Sequence, residues 1–484
     1  FQAEDGIRDS VASRGLGDVY KRQLLLLVSF FTNGQLELNN LFTDNMVLQR
    51  SSNVNIWGKS SPNQVIKVYS SWNKTSTKTK ADNNGDWILK INTSSDQSPH
   101  QLIISTKDES KVINNVLLGE VWFGSGQSNM QMTFNGYVNE PINGSQDVIG
   151  KANNDKIRLL TVERKFSSEK IRDFNGKWEL SSPKTVRNFS AAAYSFATYI
   201  NETLNVPVGI IVTSWGGTPA EAWAEKTHLD KNFKPGVLKN NFKDRFEHFN
   251  LGYLFNGMIN PLIPYTIKGA LWYQGENNRL RANNYSKLMQ VMVESWRNEW
   301  GQGEFPFYFV QIAPFRYDGP DNPSSALLRD SQLDAMFNIP NSGMVSTVDI
   351  GALNSIHPPE KIKVGNRLAY WALNKTYGFE SITPSGPIVK SAKKEGSAVK
   401  ITFDYAQNGF YNFNGPLKDF ELAGDDDQYY TATAKISGRS IIVESENVPV
   451  PTKVRYGWKN YFEATLFNLE GLPASSFYIK ELIK

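Results

Sequence analysis

The chain contains no cysteine, which excludes disulfides, thiol catalysis and cysteine-ligated zinc. Histidine is nearly as scarce. His100, His228, His248 and His357 are the full set. None pairs at i, i+4 spacing or forms an H-E-x-x-H pattern, so no metal and no cofactor is expected. Charge of one sign is also lacking. A formal net charge of +4 over 484 residues, without a dense Lys/Arg run, argues against a nucleic-acid partner. No apolar run approaches the roughly 20 residues that span a bilayer, so no membrane span is expected, and no pattern sets an oligomeric state. What is abundant is aromatic side chains, at 12% with 12 Trp, which suits sandwich cores first and sugar-stacking surfaces second.

The chain begins with two stretches set aside from fold reasoning. Residues 1–23 are polar and patternless, and look like a translated sequencing-adapter remnant. Residues 24–35 contain the short apolar run from Leu24 to Phe31 behind Lys21 and Arg22. That reads as a signal-peptide remnant and implies a secreted or periplasmic protein with bacterial-type export.

Three regions follow. Over 36–116, short alternating runs such as Val65–Tyr69 and Asp86–Ile91 are separated by Asn-Gly and Ser-Pro turns, predicting an N-terminal β-sandwich-like domain. Over 117–380 the pattern becomes α/β. Five apolar strands are expected at Val121–Phe123, Gly209–Thr213, Gly269–Tyr273, Phe307–Gln311 and Met344–Val348. Between them lie helical stretches, one with Leu288, Val291, Met292 and Trp296 on a face and Gly301 at its end. This alternation predicts a parallel sheet covered on both faces. Over 387–484 strand patterns return as a C-terminal β domain.

A parallel sheet gathers the residues that follow its strands into one rim, where ligands bind. Here that rim carries Ser128 in Gly124-Ser-Gly-Gln-Ser-Asn-Met130, then Trp215-Gly-Gly-Thr-Pro219, Gln274-Gly-Glu-Asn-Asn278, and Ser355-Ile-His-Pro-Pro359. A hydroxyl, an imidazole, glycines and side-chain amides are the parts of acyl transfer. Ser128 is the candidate nucleophile. His357 is the candidate base by elimination, since only this histidine closely follows an expected sheet strand; Pro358 and Pro359 are expected to start the next helix. Thr218, Pro219 and Glu221 read as a capping box, which puts Gly217 at a helix N-terminus. The backbone N–H groups of Gly217 and Ser128 are then oxyanion donors, with Gln274 or Asn277 as a third. Trp215, Trp223 and Tyr273 stand near the rim as pyranose-stacking candidates, and Asn129, Glu276 and Arg329 as further substrate contacts.

Four ordered blocks resemble the sialate O-acetylesterase family of the SGNH hydrolases: Gly119–Met132, Trp215–Trp223, Trp272–Glu276, and Ile356–Lys361 with Val364–Ala369. The resemblance implies a three-layer, flavodoxin-like α/β/α sheet and metal-free hydrolysis of acetyl esters on sugars. It implies Ser128 as nucleophile, His357 as base, and Gly217 and Gln274 as oxyanion donors, with Asn277 the competing amide. Relatives often place Asp two residues before the histidine, where this chain has Ser355. A Ser–His dyad is therefore expected, its imidazole held by Asn354, Ser355 or a backbone carbonyl, with Asp349 an outside candidate for the acid. The expected substrate is an acetylated carbohydrate, either O-acetyl sialic acid or acetylated xylan. A sugar-binding protein with a decayed site is the reading from another class.

Overall fold

The structure, a computed structural model, describes residues 35–238, 246–412 and 415–483. The adapter-like stretch lies outside the described residues, as does the apolar run of the expected signal peptide. No helix among the described residues is long and apolar enough to cross a membrane.

Six parallel strands form the sheet that carries the candidate site: β1 (Ser110–Gly126), β2 (Asn154–Thr161), β3 (Val208–Ser214), β4 (Gly269–Tyr273), β5 (Phe307–Val310) and β6 (Ser342–Val345). Their spatial order is β2-β3-β1-β4-β5-β6, and the antiparallel strand Glu179–Ser181 pairs with β2. β2 is missing from the five strands expected. Its first residues, Asn154, Asp155 and Lys156, are polar, and Arg158 interrupts the apolar Ile157, Leu159 and Leu160.

Successive residues of these strands face opposite ways, and the burial follows that period. Val121, Phe123, Ile211, Ala270, Trp272, Phe307 and Phe309 join one apolar cluster. Trp122, Ile210, Val212, Leu271, Tyr308 and Val310 join another. The first cluster includes Leu288, Val291, Met292 and Trp296 of the helix Tyr285–Trp300, which ends at the left-handed Gly301. The second includes Ala193 and Phe196 of the helix Ala191–Leu204, and Val364, Leu368 and Trp371 of the helix Lys361–Trp371. That last helix begins at Lys361 rather than at the two prolines.

β1 is 17 residues long and runs through the position 116/117. Its first half pairs with His100–Ser105, and Leu117–Gly119 pair with Val47–Gln49. From Glu120 onward it lies between β3 and β4. The C-terminal region forms a seven-stranded antiparallel sheet, from Ile388–Glu395 to Phe477–Ile479.

Candidate active site

The site begins where β1 ends. β1 is flanked by β3 on one side and β4 on the other, so the chain reverses its winding direction there, and the crevice opens at the carboxyl end of β1. Gly126 makes the tight exit possible. Its φ is +141°, and a Cβ on it would lie 2.2 Å from the Tyr273 carbonyl oxygen of β4. The next residues form the short helix Ser128–Gln131, with half-buried Ser128 at its first position. Gly216 packs beside it, where an added Cβ would lie 3.4 Å from the Ser128 Cβ, and donates its N–H to the Gln131 side chain at 2.8 Å.

His357 reaches the same rim from the loop after β6. Its Nδ1 lies 2.7 Å from Glu140 Oε2. The other oxygen of that carboxylate accepts from the Ser355 hydroxyl at 2.7 Å. Ser355 Oγ in turn accepts the backbone N–H of His357 at 3.1 Å. A proton on Nδ1 leaves Nε2 with a free lone pair, the form a general base needs. Neither Nε2 nor the Ser128 hydroxyl makes a hydrogen bond among the described residues, and none joins the two. Such bonds often tighten only when substrate is bound. Burial pushes His357 below its ordinary range, assisted by the Lys361 ammonium and opposed by Glu140.

Glu140 corrects the expectation of a dyad without an acid. It lies between Ser128 and β2, 217 residues before the histidine. A four-residue turn delivers it. Tyr137 and Glu140 exchange backbone hydrogen bonds at 2.9 and 3.0 Å, and Asn139 takes a left-handed φ of 62°. The Tyr137 ring packs edge-on against His357 with centroids 5.0 Å apart, and its hydroxyl donates to the Ser128 carbonyl at 3.3 Å. Asp349 is not the acid, because both its oxygens are held by Arg367 at 2.7 and 2.6 Å. Asn354 is exposed and makes no hydrogen bond among the described residues.

Gly217 has a φ of +74° and faces open space. Its N–H, like that of Ser128, has no partner among the described residues. The capping box expected around it does not form. The segment Ala220–Ala222 is a single 3-10 turn, the Thr218 hydroxyl donates to the Trp215 carbonyl, and Glu221 is held by Arg281 and Asn278. Of the two candidate amides, Gln274 is fully buried and spends both N–H groups on the Thr218 carbonyl and Asn278 Oδ1, at 3.0 and 2.7 Å. It has no donor left for an oxyanion. Asn277 donates one N–H to the Gly217 carbonyl at 2.6 Å and keeps the other.

Several expected substrate contacts are corrected by burial. Trp223 and Tyr273 are 0% exposed and present no face to a sugar. Arg329, equally buried, binds Ser476, Ser325 and the carbonyls of Gly457 and Lys459, tying its helix to the C-terminal region. Asn129, next to Ser128, is buried. It donates to Glu276 at 2.5 Å and to the Ile356 carbonyl at 3.2 Å. It accepts from Lys361, which also donates to the Pro358 carbonyl at 2.7 Å. The two side chains thus hold the carbonyls on either side of His357. Burial drives the Lys361 ammonium down to about 7 and raises Glu276, each restrained by the other's charge.

Trp215 is half-buried and flat against His248, with centroids 4.4 Å apart and planes 11° off parallel. His248 therefore stands near the rim despite its distance from any strand, but among the described residues no carboxylate or hydrogen bond orients it. Glu225, His228 and Glu299 cluster closely enough to hold a cation. The Lys170 ammonium already sits there, 2.8 Å from Glu299.

The profile described as "Carbohydrate esterase, sialic acid-specific acetylesterase" matches residues 119–374, the interval that holds every residue of this rim. The chain is 27% identical to sialate O-acetylesterase of Rattus norvegicus, over 75% of this chain and 78% of that one. It is also 27% identical to the Homo sapiens protein of the same name, over 71% and 72% respectively. The crystal structure of a carbohydrate acetylesterase from Xanthomonas citri superposes with a TM-score of 0.85 at 32% identity, covering 92% of this chain and 99% of that one. The chain belongs to the sialic acid-specific acetylesterase family of carbohydrate esterases, and is a carboxylic ester hydrolase.

Proposed function

We propose that the enzyme removes O-acetyl groups from sugars through a Ser128–His357–Glu140 triad, on a three-layer sheet of the SGNH type. The observation that carries this reading is the Glu140 carboxylate, 2.7 Å from Nδ1 of His357, on the rim where Ser128 emerges. His357 Nε2 takes the Ser128 proton as Oγ attacks the acetyl carbonyl carbon. The C=O electron pair moves onto the acetyl carbonyl oxygen, and the negative charge there is met by the N–H groups of Ser128 and Gly217 and by the remaining N–H of Asn277. The ester C–O bond then breaks, and the sugar leaves as an alcohol with the proton from Nε2. Water repeats the sequence on the acetyl-enzyme and releases acetate.

Glu140 stabilises the imidazolium that exists between these proton transfers. Its presence supports the enzyme over a decayed sugar-binding site. The relatives' names support O-acetyl sialic acid as substrate; the Xanthomonas protein is described only as a carbohydrate acetylesterase, and acetylated xylan is the second arm of the test. Acetate release is measured on both substrates for the wild type and Ser128→Ala, with intact-mass detection of an acetyl group at Ser128 under rapid quench. Equal rates in the two proteins overturn the proposal.

A further inference from the structure

The mechanism does not use Arg164. It stands three residues past the end of β2, on the rim formed by the carboxyl ends of the strands. Its guanidinium carbon lies 5.8 Å from the centroid of the Trp215 ring, and Trp215 follows directly on β3. The residue is exposed and makes no ion pair or hydrogen bond among the described residues. The nearest acids by sequence and contact are engaged elsewhere. Glu163 accepts from Asn175 at 2.7 Å, and Glu140 is held by His357 and Ser355. Arg164 also acts electrostatically on the Tyr137 hydroxyl, which lies against the Ser128 carbonyl. A positive, unneutralised group thus looks onto the mouth of the site.

The spacing suits one sugar. Arg164 leaves the sheet at β2 and Ser128 at β1, with β3 between them. Two inter-strand steps set the two strand ends about 10 Å apart, a span comparable to one monosaccharide with an exocyclic chain. A guanidinium is the side chain best matched to a carboxylate, which it can grip with two parallel N–H groups. The Trp215 ring, itself backed by His248, restricts where that fork can go.

We propose that Arg164, laid over Trp215, receives the carboxylate of an acidic sugar whose acetyl ester is at Ser128. The inference rests on the esterase reading above and assigns recognition of the sugar's carboxylate to one residue. It replaces Arg329, whose donors are all buried in the core.

The test compares 9-O-acetyl-N-acetylneuraminic acid with its methyl ester, which removes only the negative charge. The wild type is expected to favour the free acid in kcat/KM by about ten- to a hundredfold, as a charge-assisted contact implies. Arg164→Met is expected to bring that ratio to about one, chiefly through KM, and Arg164→Lys to fall between. The ratio is internal to each protein, so partial misfolding does not mimic it. A wild-type ratio near one overturns the proposal, as does an undiminished ratio in Arg164→Met. Turnover of 4-nitrophenyl acetate with no turnover of either sialic ester overturns it too, and leaves the serine esterase standing. Retained turnover in Ser128→Ala instead strikes the esterase mechanism itself.

Discussion

Replacing Glu140 with Gln tests the acid that this chain draws from an unexpected place. The geometry survives the change. A Gln carbonyl can still accept from Nδ1, and its amide can donate to Ser355 Oγ. What is lost is charge. The contact is 2.7 Å, which puts the two charge centres roughly 4 Å apart and, at an effective dielectric near 20, about 4 kcal/mol in the imidazolium state. The Glu140 side chain is 21% exposed, so solvent trims that figure, and a loss of about a hundred- to a thousandfold in kcat is expected. Glu140→Ala, which also frees the ring, approaches the roughly 10,000-fold loss of the handicapped serine-protease triad. The pH profile supplies an independent reading. Glu140 raises the proton affinity of His357. Its removal lets the imidazole lose its proton at lower pH, so the acidic limb of kcat/KM against pH moves down. Initial rates on 4-nitrophenyl acetate across the pH range measure both effects. A loss under tenfold, or a limb that moves up, refutes the assignment.

Ser355→Asp, which restores the acid at the position usual among relatives, is expected to lower kcat by at least about tenfold. It sets a second carboxylate where Ser355 Oγ now donates to Glu140 at 2.7 Å, and like charges at that range repel; improved turnover counts against the triad. Lys361→Met removes the clamp on the Pro358 carbonyl and a cation that depresses His357, so kcat falls and the acidic limb moves up, opposite to Glu140→Gln. An unmoved limb would show the lysine to be remote from the base. Gly126→Ala forces a Cβ to within 2.2 Å of the Tyr273 carbonyl and is expected to cost about 3 kcal/mol or prevent folding, read by chemical denaturation. Arg329→Met orphans the Gly457 and Lys459 carbonyls and costs about 3 kcal/mol, while the preference between sialic acid and its methyl ester stays as in the wild type.

The elements legible in advance were those with strong periodicity. The apolar strands at Gly209–Thr213 and Gly269–Tyr273, and the helix bearing Leu288 to Trp296, repeat at spacings set by their own geometry. Parallel strands share one direction, so the order of the blocks holding Ser128, Gly217 and His357 already places them on one rim. A side chain's direction, as opposed to its position, is not legible in that order. Gln274 and Asn277 are three residues apart, yet one turns into the core and the other to the glycine loop. Trp223 and Tyr273 sit near the rim in sequence but bury their rings. Glu140 went unseen because it lies on an irregular turn whose local marks are Gly136 and Asn139, both in left-handed conformations. Nothing in residues 136–140 states that a histidine from the far end of the sheet will arrive there. Arg164 was hidden for a related reason, since the strand that delivers it opens with three polar residues.

The 17-residue strand that ends at Gly126 makes the outer β layer and the catalytic sheet joint owners of one beam. A catalytic fragment started at residue 117 would discard the half that anchors this beam at its distal end, and the nucleophile would hang from a cantilever. Modular exchange of the amino-terminal layer between such esterases therefore has no clean seam at that point. Any cut made there is read out, some ten residues later, at Ser128.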